Sequence, residues 1–352
     1  MLSKDQFKLL MPINLFHTMA HIYPYFLPIL MQVIPNEDIY IDYTRVGIIA
    51  MTSVLVMIPF TIIIGFIGDR IRKWRLELII IGYILVFSHT FIIYAANSFA
   101  VLIVATVVGG IGASVFHPIA LPLLSQEFGA ERNLAHSFNL IFGTIGAIIT
   151  PIATIGLSGW LGWRTATLIL GIFGAMCFPI LVIMLLLVKK YQKYKPIEDI
   201  VMGEKVIFHE KKIKKSNHKK RLALGIITAP LVVVVIAQVI RAGTFRIINT
   251  FTSFIFEDQF GATKFNSALI MAIVIGAGGA STFISGFISP RLGSLKTLII
   301  STIASTIVAV FIAIFIGTLE IKNICIWYCF TSNCSNTVRT SHIFILSRRS
   351  SK

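Results

Sequence analysis

The chain has 352 residues, of which 56% are hydrophobic and only 13% charged, with a mean hydropathy of +0.86. That composition excludes a soluble globular domain. A net charge of +16 would point to nucleic acid in a soluble protein, but here the positives cluster between apolar runs, where they set orientation in a bilayer.

Runs of the roughly 20 apolar residues needed to cross a membrane are expected near 8–33, 46–68, 76–96, 99–124, 134–157, 165–188, 223–255, 266–289 and 296–318. Each is predicted helical, because lipid offers no partner to unpaired backbone groups, and the runs are too long and continuous for barrel strands. The fold class is therefore all-α, a polytopic helical membrane protein. The first run has no small-residue cleavage site and outlasts a signal peptide, so it is expected to be a retained span.

In that first span His17 and His21 stand at i and i+4, on one face, with Tyr25 a further turn along. Pro24 and Pro28 are expected to kink or break the outer half of the helix. Ionisable groups in the hydrocarbon region are costly and mark candidate sites. One reading of the two imidazoles is structural, with both hydrogen-bonded to carbonyls or hydroxyls; the other gives them a role in transport.

Between the second and third spans lies Gly65-Phe66-Ile67-Gly68-Asp69-Arg70-Ile71-Arg72-Lys73-Trp74-Arg75, dense in charge where both neighbours have almost none. A weaker copy, Gly286-Phe287-Ile288-Ser289-Pro290-Arg291-Leu292-Gly293, follows the eighth span. It keeps the Gly-Phe-Ile lead-in, the Arg and the Gly, with Pro290 in place of the acid. Two versions of one loop in corresponding places imply bundles related by duplication.

This loop resembles the one between helices 2 and 3 of the major facilitator superfamily, roughly Gly-x-x-x-Asp-Arg-x-Gly-Arg-Arg. Ile71-Arg72-Lys73 stands here in place of Gly-Arg-Arg. The resemblance implies a bundle of inverted repeats and a conformational gate carried by Gly65, Asp69, Arg70, Arg72 and Lys73, with Gly286 and Arg291 in the second copy.

The fourth span carries Gly109-Gly110-Ile111-Gly112-Ala113-Ser114-Val115-Phe116-His117-Pro118 and the fifth Gly143-x-x-Gly146-x-x-x-Thr150-Pro151. The first of these, with His17-x-x-x-His21-x-Tyr23-Pro24-x-Phe26-Leu27-Pro28, resembles fosmidomycin-resistance-type efflux proteins. The fifth span is similar to the antiporter signature, with Thr150 replacing its final Gly. Many relatives carry an Arg where this chain has Thr106. Gly110, Gly112, Gly143, Gly146 and Pro151 are expected at close helix contacts, as in any helical bundle. A metal site from His17, His21 and His117 is conceivable, but without a carboxylate or thiolate nearby none is expected.

Connections alternate in charge: 34–45 and 97–98 carry few positives, while 69–75, Arg132, and Arg291 with Lys296 sit on the other side. By the positive-inside rule the N-terminus is cytoplasmic. Trp160, Trp163 and Arg164 are expected as interfacial anchors. The segment 189–221 holds twelve Lys/Arg and four acids, a basic cytoplasmic linker able to lie against anionic lipid. It would join a six-helix bundle, 1–188, to a partial second bundle, 222–318.

In the seventh span Arg241 and Arg246 are about 140° apart on an ideal helix, so only one faces a central cavity squarely. A guanidinium in lipid costs at least about 2.5–3.5 kcal/mol, so it needs a wet cavity or a partner; an anionic substrate suits it, and snorkelling is the alternative. By resemblance, helices 1, 4, 7 and 10 line the cavity, and these polar residues fall on three of the four.

Residues 319–352 differ from the rest: no long apolar run, and three of the four cysteines (Cys325, Cys329, Cys334), in no spacing typical of a metal site. The expectation is a truncated or out-of-frame end, with about nine of twelve spans present. No cofactor is expected. No acid–base or nucleophile–base constellation appears, so an enzyme is not expected.

By resemblance the chain is a plasma-membrane transporter exporting a small drug-like or anionic compound in exchange for protons. His17, His21 and His117 would carry the proton, since histidine titrates near physiological pH, or contact substrate. Its partners are the substrate, protons and the lipid bilayer, not nucleic acid. Uptake or exchange of an organic phosphate or carboxylate is the second transport reading. A non-transporting product of a decayed gene is the third.

Overall fold

The first apolar run, 8–33, is interrupted at Pro24, where a kink or break was expected. In the computed structural model, which describes residues 4–193, 249–258 and 260–293 and isolated positions at 243, 296, 297, 299, 300, 303, 304 and 307, it divides into α1 (Lys4–Ile22) and α2 (Phe26–Leu30). Pro24 has no N–H to continue the ladder, and the Phe26 amide instead donates to the Tyr23 carbonyl at 3.1 Å. The Ile22 carbonyl at the end of α1 accepts from Thr150 Oγ1 at 3.0 Å, a hydroxyl also directed at the Gly146 carbonyl at 2.8 Å. The Thr in place of the expected glycine therefore serves the break.

The remaining helices follow the apolar runs: α3 (Tyr43–Arg70), α4 (Arg75–Tyr94), α5 (Phe99–Phe128), α6 (Arg132–Leu161), α7 (Trp163–Lys193) and α8 (Lys264–Leu292). Residues 249–258 are also helical. No strand occurs among the described residues. Asp42 caps α3 by accepting from the Arg45 amide at 2.7 Å, satisfying one of the orphan donors of the first turn. The tight basic connection is a single 3-10 turn, Arg72–Trp74. Gly162, at φ +80°, reverses the chain between α6 and α7 in one residue; an L side chain there would be strained.

Six of these helices, from α3 to α8, are long and apolar enough to cross a membrane by length and composition. Their outer faces say the same. Met51, Leu55, Ile58, Ile62 and Phe66 form an exposed stripe along α3, and Met176, Ile180, Ile183 and Leu187 another along α7. In water such stripes would be sticky; against lipid tails they are the expected outer wall. Trp160, 83% exposed near the end of α6, suits the headgroup level.

Inside, α5 lies between α3 and α4. A Cβ on Gly112 would stand 2.7 Å from both the Gly82 carbonyl and the Val86 amide, so no side chain fits where α4 and α5 cross. Near Gly110 the space is less tight, with Val56 at 3.3 Å. The core along α1, α4, α5 and α7 is apolar: Leu10, Ile13, Phe16, Tyr83, Ile119 and Leu185 are all buried. α8 lies on α6, with Gly279 against Thr144 and Gly276 against Ile148. The expected span 266–289 falls within α8; residues 194–242 and 319–352 lie outside the described residues.

Candidate functional site

His17, His21 and His117 meet. The imidazole of His17 is buried to 1% exposure, edge-on to His21 (centroids 4.6 Å apart) and to His117 (5.0 Å). His21 and His117 are 5.7 Å apart and half-buried. One ring nitrogen from each lies within 4.8 Å of the others. Spacing in α1 brings the first two together, while the packing of α1 against α5 brings the third. His117 precedes Pro118, which continues within α5.

His17 is held on three sides. Its face stacks on Phe116 at 4.7 Å, with the planes 10° apart. Its Nδ1 lies 2.6 Å from the Asn139 backbone carbonyl. A carbonyl can only accept, so Nδ1 carries the proton of that bond and Nε2 is the lone-pair nitrogen of the neutral ring. The third side is α6, where a Cβ on Gly143 would come within 2.5 Å of His17 Cε1. Beneath it, Asn139 Nδ2 donates to Asn14 Oδ1 at 2.9 Å in a fully buried pair. Tyr25 stands at the α1–α2 break, its ring 6.0 Å from that of His21, and packs against the apolar cluster shared by α2, α6 and α8.

The two α6 glycines have distinct duties. Gly146 faces the backbone of α1: a Cβ there would lie 2.2 Å from the Thr18 carbonyl oxygen. Gly143 faces the His17 ring itself. Pro151 is in α6, next to the Thr150 that serves the α1 break.

At the far end of α3 the basic connection is organised by Arg75. Its side chain is only 6% exposed. Nε donates to the Gly68 carbonyl at 3.0 Å, one guanidinium nitrogen to Gln126 Oε1 at 2.8 Å, and the other to Asp69 Oδ1 at 3.2 Å. The α3 C-terminus is thereby tied to α4 and α5. Arg70 and Lys73 are exposed, with Lys73 5.9 Å from the Trp74 ring. Gly65 lies 3.6 Å, measured from a built Cβ, from Pro118. The side chains of Arg72 and Arg291 and the surroundings of Gly286 lie outside what the structure describes, as do Arg241 and Arg246 entirely. Thr106 is buried and bonds its own Leu102 carbonyl at 2.8 Å.

Asn14, Asn139, Phe116, Gln126 and the buried role of Arg75 were not singled out by sequence reasoning. The two asparagines lie in apolar runs, and an intramembrane amide is a signal of the same kind as the histidines. Arg75, by contrast, looks like one more loop charge.

At the opposite end of the bundle, the N-terminal half meets residues beyond 249. Lys264 Nζ donates to the Gln32 carbonyl at 2.7 Å and Ser253 Oγ to Gln32 Oε1 at 3.0 Å. Tyr43 donates to Asp258. Nearby, Trp163 Nε1 donates to Asp38 Oδ2 at 2.7 Å.

A polytopic helical bundle with a histidine cluster between its first and fourth span-like segments, and a braced basic turn after the second, has the form of a membrane transporter. The family model of the Major Facilitator Superfamily matches residues 14–346, and the chain belongs to that superfamily. Over 118 residues it is 25% identical to the fosmidomycin resistance protein of Escherichia coli, covering 33% of this chain and 28% of that protein. Multidrug resistance protein 1 of Bacillus subtilis is 28% identical over 108 residues, 29% of this chain and 28% of that protein. An uncharacterised MFS-type transporter of Schizosaccharomyces pombe is 32% identical over 111 residues, 31% and 23% of the two chains. The aligned stretches thus span about a quarter of each relative. In fold, the chain is similar to a bacterial homologue of the human lysosomal transporter Spinster, in an inward-facing and occupied conformation. The TM-score is 0.58 at 18% identity, over 97% of this chain and 74% of that one.

Proposed function

We propose that this chain is a proton-coupled efflux transporter of a small drug-like or anionic compound, in the plasma membrane with its N-terminus cytoplasmic. The observation that carries this reading is the convergence of His17, His21 and His117. Three imidazoles with ring nitrogens within 4.8 Å of one another cannot all be protonated without strong mutual repulsion. Charges on adjacent rings repel, which suits a site that holds one cation at a time. Tyr25 lies along the same line of residues, on the substrate pathway.

Arg241 or Arg246 holds the anionic group of the substrate in this reading, a partner that lipid cannot provide. Asp69 and Arg75 brace the cytoplasmic gate, to which Arg70, Arg72 and Lys73 also belong, with Gly286 and Arg291 in the second copy. The bundles are 1–188 and 222–318, joined by the basic linker 189–221, and they rock about the central site. The names of the bacterial relatives, which concern resistance to fosmidomycin and to multiple drugs, support export over uptake.

Labelled fosmidomycin in proteoliposomes tests the direction. With an inward proton gradient across oriented vesicles, export against the drug's own gradient is expected. Flux in the same direction as the protons, or none with fosmidomycin and flux with an organic phosphate, would replace export by uptake.

A further inference from the structure

We infer that His17, His21 and His117 form a binding site for a divalent transition-metal ion of the zinc type. The inference deepens the reading of this cluster as the ligand centre of the transporter and rests on it. Imidazole suits Zn, Cu, Fe and Ni, and three histidines with an open fourth position are a known ligand set for zinc.

The geometry is close to what such an ion needs. Tetrahedral ligands about 2.0–2.1 Å from zinc sit about 3.4 Å from one another, and the three ring nitrogens already lie within 4.8 Å of one another. His21 and His117 are half-buried, and theirs are the rings that turn to close the difference in this proposal.

The groups behind the ligands fit a metal as well. A metal-bound histidine typically donates its other ring N–H to a carbonyl or carboxylate, which sets the tautomer and raises basicity. His17 does this, from Nδ1 to the Asn139 carbonyl at 2.6 Å, and the lone pair is thereby placed on Nε2. Phe116 stacked on the same ring at 4.7 Å and the bare Gly143 behind it fix the ring plane. The cluster therefore has a built ligand in His17 and two adjustable ones. Lack of a carboxylate or thiolate, the ground for expecting no metal from sequence, selects among metals but does not forbid one: an all-imidazole site favours a borderline ion over calcium or magnesium.

The test is titration of the purified full chain in detergent with Co²⁺, followed by competition with Zn²⁺. Expected are visible d–d bands at one equivalent, no thiolate-to-cobalt charge transfer, and displacement by Zn²⁺. X-ray absorption at the zinc edge of the wild-type chain should then count three imidazoles, a readout that needs no variant. His21→Gln and His117→Gln should each weaken Co²⁺ binding by at least the roughly 10–100-fold that loss of a partner behind a ligand costs, while the double variant His209→Gln/His218→Gln in the linker leaves it unchanged. Sulfur ligands, fewer than three imidazoles, or loss of binding only in the linker variant would overturn the site. Absent metal binding with intact proton-coupled flux removes the metal alone. Metal binding with flux indifferent to these histidines removes their coupling role alone.

Discussion

The ring of His17 occupies the space that a side chain at position 143 would fill: a Cβ on Gly143 would lie 2.5 Å from His17 Cε1. One turn on, Gly146 meets backbone instead, with the Thr18 carbonyl oxygen 2.2 Å from a built Cβ. The pair of glycines in α6 thus seats both the His17 ring and the helix that carries it.

Alanine at the two positions should differ in kind. Gly146→Ala forces α1 and α6 apart, an overpacking cost of about 1–3 kcal/mol. Gly143→Ala can be met by moving the imidazole, so it should retain more stability yet displace His17. Apparent melting in detergent compared with transport rate separates them. Equal melting of Gly146→Ala and wild type would mean the contact yields more easily than its geometry implies.

Arg75 should matter more than Asp69. Its guanidinium is buried and bonds Gly68, Gln126 and Asp69, whereas the Asp69 side chain is 75% exposed. Removing a hydrogen-bonded buried charge partner costs about 1.5–3 kcal/mol, so Arg75→Ala should lower stability by that order. Asp69→Asn should stay within about 0–1 kcal/mol, as exposed pairs do. Arg75→Lys should fall between, since an ammonium cannot reproduce the fork. The reverse ranking would place the brace in Asp69.

Thr150→Val keeps the shape and removes the bond to the Ile22 carbonyl. A loss of about 1 kcal/mol is expected, with faster amide exchange confined to the α1–α2 break around Pro24. Unchanged exchange there would show that the break is held by Tyr23 and its bond to the Leu170 carbonyl alone.

Much of this molecule was legible in its sequence, for a physical reason. Lipid demands long unbroken apolar helices, so α3 to α8 announce themselves by length, and Pro24 announces the break that divides the first span. The i, i+4 spacing of His17 and His21 places them on one face. That His117 completes the cluster depends on how α1 crosses α5, which no local pattern encodes. The same holds for Asn14 and Asn139, 125 residues apart in sequence. Arg75 was hidden differently: its neighbours Arg70, Arg72 and Lys73 share its charge, and only packing against Gln126 distinguishes it.

Where the N-terminal half meets the segment beyond 249, Lys264 and Ser253 bond to Gln32. Lys264→Met with Gln32→Ala should shift the population toward opening at that end. Spin labels at the exposed positions Tyr40 and Phe260 should report longer, broader distances in the double variant. An unchanged distribution would assign the closure to Tyr43 and Asp258.

The central claim is that the three histidines couple transport to protons. Gradient-driven drug flux in proteoliposomes, compared for wild type, His21→Gln and His117→Gln, tests it most directly. The expected result is loss of the gradient-driven component in both variants, with drug exchange in the absence of a gradient retained. Full acceleration by the gradient in either variant would contradict it.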